Sequence, residues 1–250
     1  MKLAKLNDKA EIFHSIQGEG KNAGKPCWFV RTSLCNLYCH WCDTDYTWNW
    51  QGTKFSHKRD AHPGYQKFAK SEHIIELTVS EIVEILQSNN TRHVVLTGGE
   101  PLLQQQELCA LMTELRHIDT NYFFETETNG TLLPTEQFDE RISQYNVSPK
   151  LANSNIPLSV RDSEDVIRFL VNSPKAHFKF VIAAEGDLDE IIDWQRKYEV
   201  PSERIYLMPQ GSTVEELSTT ALLVADLCKQ QGFWFSDRIH VRLFGNQRGT

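Results

Sequence analysis

The chain has 250 residues, 40% of them hydrophobic and 24% charged, with 13 Phe, 7 Tyr and 6 Trp; this excludes a disordered polymer and allows one α/β domain or two smaller ones. A formal charge of −7 argues against a general polyanion-binding surface, so no nucleic-acid partner is expected. No apolar run approaches the roughly 20 residues that span a bilayer, and Met1–Gly20 lacks the apolar segment and cleavage site of a secretion signal, so a cytoplasmic protein without a membrane partner is expected.

Beyond Met1–Gly20, the aromatic and β-branched stretch Cys27–Thr32 reads as a strand that ends just before a group of cysteines. Asn49–Ser71 breaks the pattern with Gly, Pro, Lys, Arg and His residues, and is too short for a core of its own; it reads as an insertion or lid within a single domain spanning 1–250. Thr78 and Glu81 form a capping box for a helix containing Ile82, Ile85 and Leu86. A strand at His93–Thr97 is followed by Gly98-Gly99-Glu100-Pro101. Next come a helix over Gln104–Asp119, with an apolar stripe of Leu108, Leu111, Met112 and Leu115, and a strand at Tyr122–Thr126. That is a βαβ unit. Strands are then expected at Tyr145–Ser148, Phe178–Ala183, Arg204–Met208 and Arg238–Phe244, with helices near Asp162–Val171, Leu188–Tyr198 and Val214–Gln231, the last ended by Gly232. The alternation predicts a parallel α/β sheet covered by helices, as an incomplete (β/α) barrel or as a doubly wound open sheet; periodicity does not fix strand order.

The sharpest local feature is Cys35-Asn36-Leu37-Tyr38-Cys39-His40-Trp41-Cys42, three of the chain's six cysteines within eight positions. Short loops bring three thiolates together around a soft metal. Zinc would want a fourth ligand, for which His40, Asp43 or a distant histidine is available, whereas a four-iron cluster held by three cysteines leaves one iron open. Cys27, Cys109 and Cys228 lack such grouping and read as buried structural residues.

The cysteine spacing, with Trp41 before the last cysteine, together with Gly98-Gly99-Glu100-Pro101 resembles the signature of the radical S-adenosylmethionine superfamily. A closer resemblance is to the 7-carboxy-7-deazaguanine synthase (QueE) family. It is carried by Ser15-Ile16-Gln17-Gly18-Glu19-Gly20, Phe29-Val30-Arg31-Thr32, Cys42-Asp43-Thr44, Glu127-Thr128-Asn129-Gly130, Ser148-Pro149-Lys150, Lys179-Phe180-Val181, Met208-Pro209-Gln210-Gly211 and His240 through Gly249, and it is weakest in Asn49–Ser71. It implies the incomplete (β/α) barrel of the radical S-adenosylmethionine type and one 4Fe-4S cluster on Cys35, Cys39 and Cys42. S-adenosylmethionine is implied to lie against Gly98, Gly99, Glu100, Glu127, Asn129, Ser148 and Lys150. Glu100 is expected to receive the cofactor's ammonium group.

The implied substrate is 6-carboxy-5,6,7,8-tetrahydropterin, held by Gln17, Glu19, Arg31 and His240, with Arg31 matched to its carboxylate. The implied product is 7-carboxy-7-deazaguanine, formed in queuosine biosynthesis by a carbon–nitrogen lyase through radical ring contraction with loss of ammonia. A 5′-deoxyadenosyl radical is implied to abstract hydrogen from carbon six. Magnesium near Thr44, an external one-electron donor and a homodimer complete the expectation. Another radical enzyme, such as a glycyl-radical activase, and a plain iron–sulfur electron carrier are the competing readings.

Overall fold

A computed structural model describes residues 1–250. The strands are β1 (Lys2–Leu6), β2 (Lys9–Ala10), β3 (Ile12–Ile16), β4 (Pro26–Thr32), β5 (Ile74–Glu76), β6 (His93–Gly98), β7 (Phe123–Thr128), β8 (Gln144–Val147), β9 (Ala176–Ile182), β10 (Ile205–Pro209) and β11 (Trp234–Phe235). The helices are α1 (Lys70–His73), α2 (Val79–Leu86), α3 (Gln105–Ile118), α4 (Glu136–Arg141), α5 (Leu158–Arg161), α6 (Glu164–Asn172), α7 (Asp187–Tyr198), α8 (Val214–Gln231) and α9 (Ile239–Phe244).

From β4 onward each parallel strand pairs with the next in the order β4-β6-β7-β8-β9-β10-β11. A doubly wound sheet reverses its order at a switch point, and this one never does. The edges remain apart, with β11 at one and the antiparallel strands β1, β2, β3 and β5 gathered at the other. The architecture is therefore the incomplete (β/α) barrel. Its N-terminal hairpin was not legible as strands, although Asn7 and Asp8, at φ 47° and 62°, are the residue types that a two-residue turn of left-handed backbone favours.

Alternation along the strands separates two environments. Val30, Val94, Leu96, Phe124, Tyr145, Phe178, Phe180 and Leu207 point outward into a core shared with Leu108, Leu111, Met112 and Leu115 of α3, where each fully buried Leu or Phe contributes about 1.5–3 kcal/mol. The residues of opposite parity face the lumen, and many are polar: Arg31, Thr97, Glu125, Glu127, Gln144, Asn146 and Lys179. The expected capping box is present, with Thr78 accepting from Glu81 N at 3.3 Å and Glu81 from Thr78 N at 2.7 Å. Gly232 ends α8 at φ 70°.

One expected element is wrong. Arg238–Phe244 is not a strand but contains helix α9, and the last strand is β11. The alternation of Ile239, Val241 and Leu243 mimicked a strand, yet only Val241 is buried while Leu243 and Phe244 are exposed. Asn49–Ser71 folds back on itself through Gln51 N to Phe68 O and Phe68 N to Asn49 O, and packs on the cysteine loop.

Candidate active site

The C-terminal ends of the parallel strands open on a cavity of about 430 Å³, the end of a barrel where binding groups collect. Strand β4 delivers Arg31 to its wall and runs into the cysteine loop. Gly98, at the end of β6, holds that loop close: its φ is +137°, and a Cβ there would lie 2.0 Å from Thr32 O, so only glycine lets β6 pack against the exit of β4. Cys35, Cys39, Cys42, Thr44, Gly98, Gly99, Glu127, Asn129, Ser148, Lys150, Gln17, Glu19, Arg31 and His240 all line this one cavity.

Glu100 does not. It is fully buried, and its carboxylate accepts Leu102 N at 3.0 Å, Thr128 Oγ1 at 2.9 Å and Asn129 N at 2.7 Å. It ties the turn after β6 to the end of β7. Asn129 is likewise committed, donating to Asn36 Oδ1 at 2.9 Å and accepting from Thr131. Lys150 donates to Ser148 Oγ at 2.8 Å, leaving both at the wall.

The three cysteines sit in an apolar setting with Leu37 and Ile156. Burial pushes all three thiols up, Cys42 to about 12, with Asp43 adding to that push; a thiolate here wants a compensating cation, which iron supplies. No group of three or more His, Cys, Asp or Glu side chains converges as ligands of one metal ion. Three soft donors in an apolar wall beside an open cavity fit an iron–sulfur cluster. Thr44 lies 3.5 Å from the Cys42 sulfur, and its side chain caps no helix.

The same cavity is lined by an ion-pair network that the sequence did not reveal. Arg238 donates to Glu19 at 2.9 Å and also to Asp43; Lys179 bridges Glu19 and Glu127, the latter at 3.0 Å. Burial alone would raise the Glu19 carboxyl, but Lys179, Arg238 and His240 hold it well below the usual range. Burial opposes the Lys179 charge as well, and Glu127 and Glu19 keep it protonated above the usual lysine range. The structure groups Glu127 with Gln17 and Glu19, since Gln17 Nε2 reaches Glu127 at 3.3 Å and Glu125 beneath it.

Arg31 spends its Nε on Glu11 at 3.0 Å, and the other Glu11 oxygen takes Arg248 Nη2 at 2.6 Å. Glu11 is fully buried, so two guanidinium groups at the wall share one anion. His240 packs on Gly18, where a Cβ would lie 2.0 Å from its Nδ1. Glu11 and Arg238 carried no motif signal, whereas Lys179 and Arg248 lay inside segments of the family resemblance, Lys179-Phe180-Val181 and His240 through Gly249, without a role of their own.

Residues 29–224 match the Radical SAM superfamily. The 7-carboxy-7-deazaguanine synthase of Pyrobaculum aerophilum is 35% identical over 241 residues, covering 96% of this chain and 95% of that protein. The enzyme of the same name from Rhodopirellula baltica is 32% identical, covering 96% and 88%. The crystal structure of QueE from Escherichia coli superposes with a TM-score of 0.64 at 23% identity, over 92% of both chains, a likeness of fold.

Proposed function

Since the chain belongs to the 7-carboxy-7-deazaguanine synthase family of the radical SAM superfamily, and is thereby an enzyme of that lyase family, we propose that it converts 6-carboxy-5,6,7,8-tetrahydropterin to 7-carboxy-7-deazaguanine with loss of ammonia. The observation that carries this reading is the single cavity lined by the three cysteines and Gly98-Gly99 together with Arg31, Gln17, Glu19 and His240.

In this reading Cys35, Cys39 and Cys42 hold a 4Fe-4S cluster as thiolates, and a reduced cluster with bound S-adenosylmethionine supplies the radical that abstracts hydrogen. The protein's part is to hold and orient. Gly98 and Gly99 let the backbone approach the cofactor, Ser148 and Lys150 present a hydroxyl and an ammonium group, and Asn129 holds the wall through its bonds to Asn36 and Thr131. Glu100 acts by fixing this turn, since its carboxylate is spent internally. Arg31 has its Nη groups free for the substrate carboxylate because Glu11 takes only Nε. Glu19 and Glu127 offer carboxylates to the polar pterin edge, Gln17 orients both through its amide, and His240 closes the pocket. Thr44, alone beside Cys42, serves magnesium together with oxygens of substrate and water. An external one-electron donor and a homodimeric, cytoplasmic protein complete the proposal.

The test is anaerobic reconstitution, then incubation with reductant, S-adenosylmethionine, magnesium and the carboxylated tetrahydropterin, with product mass as readout. Intact pterin despite a complete cluster and cleaved cofactor would overturn the substrate assignment.

A further inference from the structure

The segment Asn49–Ser71 touches alternate residues of the cysteine loop. The Phe55 ring stacks on Tyr38 with centroids 3.7 Å apart, Lys58 N donates to His40 O at 2.8 Å, and His57 Nε2 meets Cys42 O at 2.8 Å. The Cys42 carbonyl accepts no backbone hydrogen bond. On its other flank the loop is tied to the turn after β8, with His40 N donating to Ser154 O at 3.0 Å and Trp41 Nε1 to Asn153 Oδ1 at 3.1 Å.

His57 itself is tightly held. Its ring and Asp45 are fully buried, Nδ1 stands 3.3 Å from Asp45 Oδ2 and 3.2 Å from Arg59 N, and Asp45 Oδ2 also accepts the Tyr65 hydroxyl at 2.8 Å. Nδ1 accepts from Arg59 N, so the ring carries its hydrogen on Nε2 and donates it to Cys42 O. Asp45, held by the Tyr65 hydroxyl and by the Arg59 guanidinium at 3.3 Å, packs beside the same ring.

We propose that Asn49–Ser71 is a clasp for the iron–sulfur loop, with His57, oriented by Arg59 N, as the positioning residue that holds the Cys42 backbone where its sulfur meets iron. The inference rests on the cluster assignment but not on the pterin. A flexible eight-residue stretch at the mouth of a cavity would let a cluster thiolate swing away and iron escape; three anchors at Tyr38, His40 and Cys42 remove that freedom.

The test compares His57→Leu, which fills the space without a donor, with His57→Gln, whose amide donates toward Cys42 O. Anaerobically reconstituted proteins are exposed to a ferrous chelator, cluster loss is followed by visible absorbance, and hydrogen exchange of residues 35–42 is measured in the metal-free chain. The expected result is cluster loss roughly tenfold faster and loop exchange faster in His57→Leu, as one hydrogen bond of about 1.4 kcal/mol predicts, with both values near the unsubstituted chain in His57→Gln. Unchanged loss and exchange in His57→Leu would overturn the proposal, as would equal acceleration in both variants, which marks packing alone. Phe55→Ala probes the clasp at its half-buried edge without disturbing the buried pair, and is expected to speed loop exchange; if it and His57→Leu both leave residues 35–42 unchanged, the clasp is refuted. A three-cysteine chain that never takes up iron would refute the cluster assignment separately.

Discussion

Lys179 is the buried cation on which the lumen depends, and replacing it tests the electrostatics directly. In the Lys179→Met variant a straight chain of similar length fills the space, but Glu19 and Glu127 lose a shared partner in a wall where Lys179 is only 6% exposed. Removing one partner of a buried pair costs about 3–5 kcal/mol, and at about 2–4 °C per kcal/mol for a chain of this size the midpoint falls by roughly 6–20 °C. The pH dependence has a definite sign. Burial already pushes the Glu127 carboxyl up, and without Lys179 that push is unopposed by the nearest cation. A carboxyl whose folded pKa is raised destabilises the fold when ionised, so the deficit is full above its folded pKa and shrinks as pH falls from about 8 toward 5. Thermal unfolding by circular dichroism across that range measures it, and adding Glu127→Gln, which removes the orphaned charge, is expected to restore at least half of the loss. A midpoint within about 2 °C of the unsubstituted chain, or a deficit that grows on acidification, would refute the reasoning.

Glu11→Gln leaves Arg31 and Arg248 facing each other with no shared anion; KM for the carboxylated pterin is expected to rise about tenfold, the loss of one charge-assisted contact, with kcat within threefold, as steady-state kinetics would reveal. Gly98→Ala forces a side chain onto Thr32 O at a φ of +137°; overpacking of about 1–3 kcal/mol plus backbone strain is expected, read as a lower melting point together with reduced iron uptake. Cys39→Ala is expected to abolish the full cluster while leaving far-UV dichroism unchanged, because Cys39 packs only in a small apolar group apart from the main core; iron analysis and visible absorbance measure it.

Much of the barrel was legible because its core strands and helices obey local rules. Cys27–Thr32, His93–Thr97 and Phe178–Ala183 each bear one apolar face that only a pleated strand buries, and α3 repeats its leucines at helical spacing. The elements missed are those whose pattern is incomplete. Lys2–Leu6 and Ile12–Ile16 lie at the antiparallel edge, where one-sided burial is weak, and β11 is two exposed aromatics recognisable only beside β10. In 238–244 apolar residues alternate as on a strand, yet the segment is tied at its start by Ile239 N to Gly18 O and turned by Gly245 at φ 65°.

The site divides in the same way. Cysteines bunched within eight positions, or glycines before an acid and a proline, state their chemistry locally. Ion pairs such as Glu11 with Arg248, 237 residues apart, and Glu19 with Arg238, 219 apart, arise only when the barrel closes its lumen. Glu100 shows the converse: the motif placed it among the cofactor contacts, but it lies behind the cavity wall and its carboxylate is consumed by Leu102, Thr128 and Asn129. A motif residue can therefore serve the site by building the turn on which others stand, and whether a side chain contacts a ligand or holds the loop is decided by where its hydrogen bonds go. His57 follows the same rule: it lies in the segment with the weakest motif signal, and its hydrogen bond leads straight to the Cys42 backbone.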